Sequence, residues 1–260
     1  MKSHKRRGAM KPIQPFARSV YMTKLKAILT LTAALAFALS PFTTTGFNGF
    51  SPDQFPVPQV DPPIQPAGWA FSIWGVIYLW LIASGLYGLL KRDDDPAWDR
   101  VRWPLIASLV VGAAWIPVAN LSPLWATVLI WIMWGTAIWA LLRTPFFDRW
   151  WLRVPVALYA GWLTAASCVA TAVLLTGYGA TPVLPIHAAL LIVALALASY
   201  VLRVLPAPEY LIPVAWALIG VIAANMDMGR PLMIALPALG IVLLAVPVIL
   251  RHRFRPEPPV

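Results

Sequence analysis

The sequence has few of the residues on which most protein chemistry depends. Of its 260 residues only 12% are charged, three are histidine and one, Cys168, is cysteine. A single cysteine excludes an internal disulfide framework and a cysteine metal cluster, and Cys168 lies in an apolar run that favours a small packing residue. The sequence shows no nucleophile–base arrangement, metal-ligand cluster or glycine-rich phosphate loop. We therefore expect no enzyme and no metal cofactor.

Apolar residues dominate instead. They make up 60% of the chain, and the mean hydropathy is +0.74. Each apolar segment is long enough to cross a hydrocarbon core of about 30 Å as a helix. The eight segments are 24–41, 67–90, 104–120, 124–143, 154–175, 183–203, 210–227 and 231–250. The sequence predicts an all-α, polytopic transmembrane bundle of about eight helices.

The positive charges are placed in a pattern typical of membrane proteins. The net charge is +10, but the basic residues lie at segment ends and form no stripe that would bind nucleic acid. Alternate loops and the two termini hold all the Lys and Arg residues except Arg230. The positive-inside rule then predicts cytoplasmic N- and C-termini, an external 42–66 loop and a place in the bacterial inner membrane. The predicted cytoplasmic ends are a basic arm (1–23) and a basic tail (251–260), which faces anionic lipid.

The first segment has two interpretations. A basic region, an apolar run and small residues near its end also describe a cleaved signal peptide. Cleavage would leave seven spans with the same orientation, so charge cannot decide. We favour a retained helix. Met10 and Met22 are alternative starts of the natural chain.

The chain is rich in tryptophan, with 14 in all. Those at segment ends suit the membrane interface: Trp69, Trp98, Trp103, Trp125, Trp150 and Trp151. The others lie within segments, where an indole N–H needs a partner. Helical spacing predicts one face of the second segment that carries Phe71, Trp74, Gly75, Tyr78 and Ile82. Trp131 and Trp134, three residues apart, likewise share a face of the fourth segment. Simple packing and an aromatic-lined cavity both remain open, and we favour a cavity beneath the proline-rich 42–66 loop.

The stretch "PPIQPAGWAFSIWGVIYLWLIASGLYGLL" (62–90) resembles the start of helix 2 in the TspO/MBR family of tryptophan-rich sensory or translocator proteins. The matching positions are Pro66, Gly68, Trp69, Phe71, Trp74 and Tyr78. The segment 153–175 is similar to the fifth helix of the family through Pro155, Tyr159 and Trp162. The family's proline within helix 2 is replaced by Ile73 or Gly75. The chain therefore resembles a distant, enlarged relative, with a five-helix region (24–175) and three additional helices (183–250).

The resemblance implies a five-helix bundle whose pocket opens under the loop after helix 1. It implies a membrane binding or sensory protein for a planar hydrophobic ligand, such as a porphyrin or a sterol. The expected ligand-binding residues are Trp69, Phe71, Trp74, Tyr78, Trp115, Asn120, Trp131, Trp134, Tyr159 and Trp162. The expected partners are the lipid bilayer and this small molecule, and a homodimer stays open. The alternative is a small-molecule transporter, which would need polar groups near the midplane and broken helices.

Three other polar features have alternative interpretations. His187 is a structural histidine or a haem ligand, the structural role being favoured. Asp227 is a solvated carboxylate paired with Arg230, or a polar group at a cavity mouth with Asn225. The charged segment 91–100 reads as a solvated cytoplasmic turn.

Overall fold

The computed structural model of the chain describes residues 15–44, 47, 49–205 and 207–253. These residues form eight long helices and no strand. The helices are α1 (Pro15–Leu39), α2 (Ile73–Lys91), α3 (Pro96–Leu121), α4 (Pro123–Leu142), α5 (Val154–Gly177), α6 (Val183–Val204), α7 (Leu211–Met226) and α8 (Leu232–Arg253). With the short 3₁₀ or π turns that extend some of them, all eight are long and apolar enough to cross a membrane. The predicted all-α transmembrane bundle is confirmed.

The third helix begins earlier than hydropathy predicts, at Pro96 instead of 104. Asp95 caps it, because the carboxylate accepts hydrogen bonds from two backbone N–H groups of the first turn, at 2.8 and 3.3 Å. Pro96 follows at the first helical position, where its missing N–H costs nothing. The solvated turn predicted over 91–100 is therefore wrong for its second half. A hydropathy pattern does not detect the first turns of a helix when those turns are rich in charged residues.

Helix α5 lies at the centre of the bundle and contacts α2, α4, α6 and α7. A larger share of it is buried than of any other span. Small residues allow this close packing: a Cβ added at Gly161 would lie 2.4 Å from the carbonyl oxygen of Tyr210, just before α7. Helix α8 packs against α6 and α7. The three C-terminal helices are thus attached to the other five mainly through α5.

The end of the bundle that carries the 91–95 turn is organised around Asp148. Its carboxylate accepts hydrogen bonds from Arg92 Nε at 2.6 Å and from the indole N–H of Trp98 at 3.0 Å. The Arg92 guanidinium, with help from Trp98, holds the pKa of Asp148 below its usual range. Trp98 is only 3% exposed. Its predicted place at the membrane interface is wrong, because the indole is buried beside this carboxylate.

The 42–66 loop lies at the opposite end and is bound to four helices. Gln54 Nε2 donates to the Ala119 carbonyl of α3 and Val57 N to the Gly177 carbonyl of α5, both at 2.9 Å. Ile64 N donates to His187 Nδ1 of α6 at 3.2 Å. In the other direction, Asn225 Nδ2 of α7 donates to the Pro63 carbonyl at 2.8 Å. A ring of the loop, Phe55, packs on α5 where Gly177 leaves room for it. The 54–64 part of the loop is therefore attached to four helices at this end of the bundle.

Candidate ligand-binding cavity

A cavity of about 570 Å³ lies beneath the 42–66 loop, within the range of 300–1,000 Å³ that is typical of small-molecule sites. Its wall comes from α1 to α5, α7, the loop and the turn before α2. Ten aromatic side chains line it: Phe37, Phe42, Phe47, Phe50, Trp69, Phe71, Trp74, Tyr78, Trp115 and Trp162. None of the lining residues that the structure describes is charged.

One wall of the cavity is built from rings of three helices. On α2, Trp74 and Tyr78 are stacked, with ring centroids 5.2 Å apart and planes 17° from parallel. Phe37 of α1 packs edge-on against both, at 5.5 and 5.0 Å. Trp162 of α5 meets Trp74 edge-on at 6.1 Å. Phe71, in the turn before α2, meets Trp162 at 5.9 Å. The face of α2 predicted from residue spacing therefore does line a cavity.

Three polar ring atoms in this wall have no hydrogen-bond partner among the described residues. They are the indole N–H groups of Trp74 and Trp162 and the hydroxyl of Tyr78. Trp162 is 3% exposed, so the cavity is the open space that its N–H can reach. Among the described residues only Glu209 Oε2 is both fully buried and unpaired, so the three ring atoms border accessible space. Their residues line the cavity, which makes these groups candidates to bond a ligand.

The indoles of most other tryptophans are used within the protein or face outward. Six are bonded internally, at 2.8–3.0 Å: Trp80, Trp98, Trp115, Trp131, Trp134 and Trp216. Five are 43–64% exposed on the outer surface of the bundle: Trp103, Trp125, Trp139, Trp150 and Trp151. Trp74 and Trp162 belong to neither group. Their unpaired N–H groups distinguish them from tryptophans that only pack.

Six of the ten predicted site residues line the cavity: Trp69, Phe71, Trp74, Tyr78, Trp115 and Trp162. Their part in ligand binding stays a prediction. Of these, Trp115 already donates its indole N–H to the Ala126 carbonyl, so it contributes only its apolar ring.

The other four predicted residues lie outside the cavity lining. Trp131 and Trp134 do turn inward, but their indoles donate to threonine hydroxyls of α5 at 2.9 and 2.8 Å. Tyr159 is fully buried and shares a hydrogen bond of 2.9 Å with the hydroxyl of Ser108. Asn120 lies on the exposed side of the end of α3. Residue spacing identifies the inward face of a helix, but it does not tell a packed interface from a hollow one.

Residues of the loop and of α1 that sequence reasoning missed also form the wall. Phe37 is part of a helix without tryptophan, and nothing in its spacing marked it. Phe47 and Phe50 come from the loop; Phe47 contacts Trp115 with ring centroids 4.7 Å apart. The one available signal was the pair of aromatic residues in "FNGF" (47–50), within a stretch that is otherwise rich in proline.

The polar candidates of the sequence are engaged in holding the loop. His187 is fully buried, with Nδ1 accepting from the Ile64 N–H and Nε2 3.1 Å from the hydroxyl of Thr176. Both ring nitrogens are thus occupied, which matches the structural interpretation. Arg230 donates to the Asp61 carbonyl at 2.8 Å. The ion pair predicted between Arg230 and Asp227 is replaced by this contact with the loop.

Comparison with known proteins identifies a family. A family model described as TSPO-like protein matches residues 25–250. The match reaches from α1 to α8, beyond the 24–175 region that carries the resemblance in the sequence. No curated protein and no solved structure matches the chain.

Proposed function

We propose, since the chain belongs to the TSPO-like protein family, that this membrane protein binds or senses a planar hydrophobic ligand. The proposed ligands are tetrapyrrole-like or sterol-like molecules. The observation that carries the proposal is the cavity of about 570 Å³ beneath the loop, with its aromatic wall and its unpaired polar ring atoms. The residues proposed to contact the ligand are Trp69, Phe71, Trp74, Tyr78 and Trp162.

The energetics favour a flat apolar ligand. Burying apolar surface contributes about 25 cal/mol per Å², and each well-oriented aromatic contact adds about 0.5–1.5 kcal/mol. The loop that covers the cavity is already held by bonds to four helices. Binding therefore does not carry the entropy cost of ordering the 54–64 part of the loop.

A titration with protoporphyrin IX tests the proposal. The purified protein in lipid nanodiscs is titrated while tryptophan emission is followed. We expect quenching at micromolar porphyrin, with affinity about tenfold lower in Trp74→Ala and Tyr78→Ala because each removes an aromatic wall contact. Trp139→Ala is the control, since Trp139 is 48% exposed and lies outside the lining. Absence of quenching in the wild-type protein would contradict the proposal.

Transport of the ligand is the alternative function. Carriers of this kind commonly use helices that are broken near the midplane. In the part of the chain that the structure describes, α3 and α8 each continue through two internal prolines, which supports binding over transport. Solute counterflow in proteoliposomes tests the alternative directly. A homodimer is tested by cross-linking in native membranes.

We propose further that the chain lies in the bacterial inner membrane with both termini in the cytoplasm. The proposal is supported by the charge pattern: the 42–66 loop carries no Lys or Arg, Arg230 alone of the basic residues contacts it among the described residues, and the basic residues of 91–95 and 143–153 lie at the Asp148 end. We also propose that 24–41 is a retained helix. Its support is the contribution of Phe37 to the cavity wall.

A further inference from the structure

The described wall of the cavity carries no charge, and its ring donors are accompanied by two other polar side chains, Gln65 and Ser72, close to the loop. We infer that the ligand is uncharged in its buried part and presents a hydrogen-bond acceptor, such as a ketone, ester or ether oxygen, to Trp74, Tyr78 and Trp162. The inference rests on the proposed function and narrows it to one chemical class.

The donors lie close together. The ring of Trp74 is 5.2 Å from that of Tyr78 and 6.1 Å from that of Trp162, centroid to centroid. An indole N–H can only donate a hydrogen bond, whereas the tyrosine hydroxyl can donate or accept. An acceptor atom of the ligand placed among these rings would satisfy groups that have no partner among the described residues.

A charged group in the same place would be unfavourable. No described lining residue is charged, and the sequence has Thr, Gly and Asn at positions 45, 46 and 48 of the loop. The two charged residues of the loop, Asp53 and Asp61, are both acidic. Arg230 contacts the loop at the Asp61 carbonyl but is not part of the wall. A buried carboxylate would therefore lack a cationic partner among the described residues, and its binding would be disfavoured.

Tetrapyrrole ligands can distinguish a preference for an uncharged acceptor from a preference for a charged group, because one macrocycle can be obtained with free carboxylates or with esters. The experiment compares protoporphyrin IX with its dimethyl ester, by quenching of tryptophan emission in nanodiscs and with empty nanodiscs as the partition control. We expect the diester to bind at least about tenfold more tightly than the diacid. The variant Tyr78→Phe removes only the hydroxyl and should weaken diester binding about threefold to tenfold. Tyr200→Phe, on an exposed face of α6, should leave it unchanged.

The outcomes separate this inference from the proposed function. Tighter binding of the diester, together with the loss in Tyr78→Phe, supports both. Equal binding of the two porphyrins, tighter binding of the diacid, or a Tyr78→Phe variant that binds the diester as wild type overturns the inference and leaves the proposed function standing. If neither porphyrin binds, the proposed function is overturned and the inference with it.

Discussion

A buried indole carries one N–H group, and the partner of that group separates two kinds of tryptophan in this protein. Where a threonine hydroxyl or a backbone carbonyl accepts the hydrogen, as for Trp134 and Trp216, the ring holds helices together. Where the N–H has no partner among the described residues and the residue lines the cavity, as for Trp162, we expect the ring to contact the ligand. The number of tryptophans says little about binding, since both kinds look alike in a sequence.

Gly75 provides the cleanest test of the cavity at a single residue. A Cβ added at Gly75 or at Gly135 would meet no atom within 4 Å, but only Gly75 lines the cavity. Both lie within helices, where replacing glycine by leucine gains about 0.5–1 kcal/mol of helix propensity. We expect Gly75→Leu to lower porphyrin affinity at least about tenfold without lowering thermal stability. Gly135→Leu should bind as wild type; equal binding by both variants would show that Gly75 does not face the ligand.

Asp148 gives a pH-dependent contribution to stability. Its pKa is lowered in the folded protein, chiefly because Arg92 donates to the carboxylate. A carboxylate with a lowered folded pKa stabilises at neutral pH, and the contribution is lost as pH falls below its ordinary pKa of about 4 and through the folded value. The backbone φ is +51°, which asparagine tolerates well, so Asp148→Asn isolates the charge. We expect a melting temperature lower by about 3 °C at pH 7.

The same comparison at low pH checks the cause. The difference between Asp148→Asn and wild type should shrink at pH 3, because below the ordinary pKa of about 4 the unfolded chain takes up the proton and the stabilisation declines. Asp94→Asn, at an exposed position of the 91–95 turn at the same end of the bundle, serves as the control and should melt as wild type at both pH values. A difference that is the same size at pH 3 and pH 7 would exclude the charge as its source.

Helix α5 and the start of α7 approach each other closely at Gly161. A methyl group at Gly161 would lie 2.4 Å from the carbonyl oxygen of Tyr210 and 2.7 Å from Pro213. Backbone cannot yield as a flexible side chain does, so Gly161→Ala should cost about 1–3 kcal/mol. Thermal unfolding in detergent measures this against Gly135→Ala, which should be neutral or slightly stabilising. Equal stability of the two variants would contradict the close approach of α7 to α5.

The attachment of the loop to α7 predicts a kinetic effect. Asn225 is 1% exposed and donates to the carbonyls of Pro63 and Val221 at 2.8 Å. Asn225→Ala leaves the Pro63 carbonyl without this donor, a local cost of about 1–3 kcal/mol. We expect faster proteolysis within the 42–66 loop and faster release of bound porphyrin. Asn120→Ala, on the exposed end of α3, should change neither rate, and unchanged rates in Asn225→Ala would mean that the loop is held by its other contacts.

The sequence predicted the helices better than it predicted their ends or the cavity. Length and hydropathy identify a spanning helix, because no other element of that composition fits the bilayer. The start of α3 at Pro96 depends on a capping carboxylate instead. Spacing predicted the face of α2, but Phe47 and Phe50 line the cavity only because the loop folds back over it. Where a loop folds depends on contacts far apart in the chain, such as the one between Ile64 and His187.

In the molecule as a whole, two of the three C-terminal helices, α6 and α7, help to build the cavity end. The N–H of Ala67 donates to the carbonyl of Gly220 in α7 at 3.0 Å, and a Cβ at Gly220 would meet Pro66 at 2.8 Å. Ala217 of α7 also lines the cavity. Helices α6 and α7 thus support the loop that covers a pocket formed mainly by the first five helices. The family match over 25–250 accords with one structure in which both parts serve the same site.

The orientation of the whole bundle can be tested with two single-cysteine variants. The wild-type chain is the unlabelled control, because its one cysteine, Cys168, is fully buried and should not react with a maleimide. Val60→Cys places an exposed thiol on the 42–66 loop, and Asp94→Cys places one at the opposite end. The loop carries no Lys or Arg, so the positive-inside rule puts it outside. In intact cells, a membrane-impermeant maleimide should label Val60→Cys at once and Asp94→Cys only after permeabilisation. The reverse pattern would place the cavity on the cytoplasmic side, where its ligand would be drawn from the cell interior.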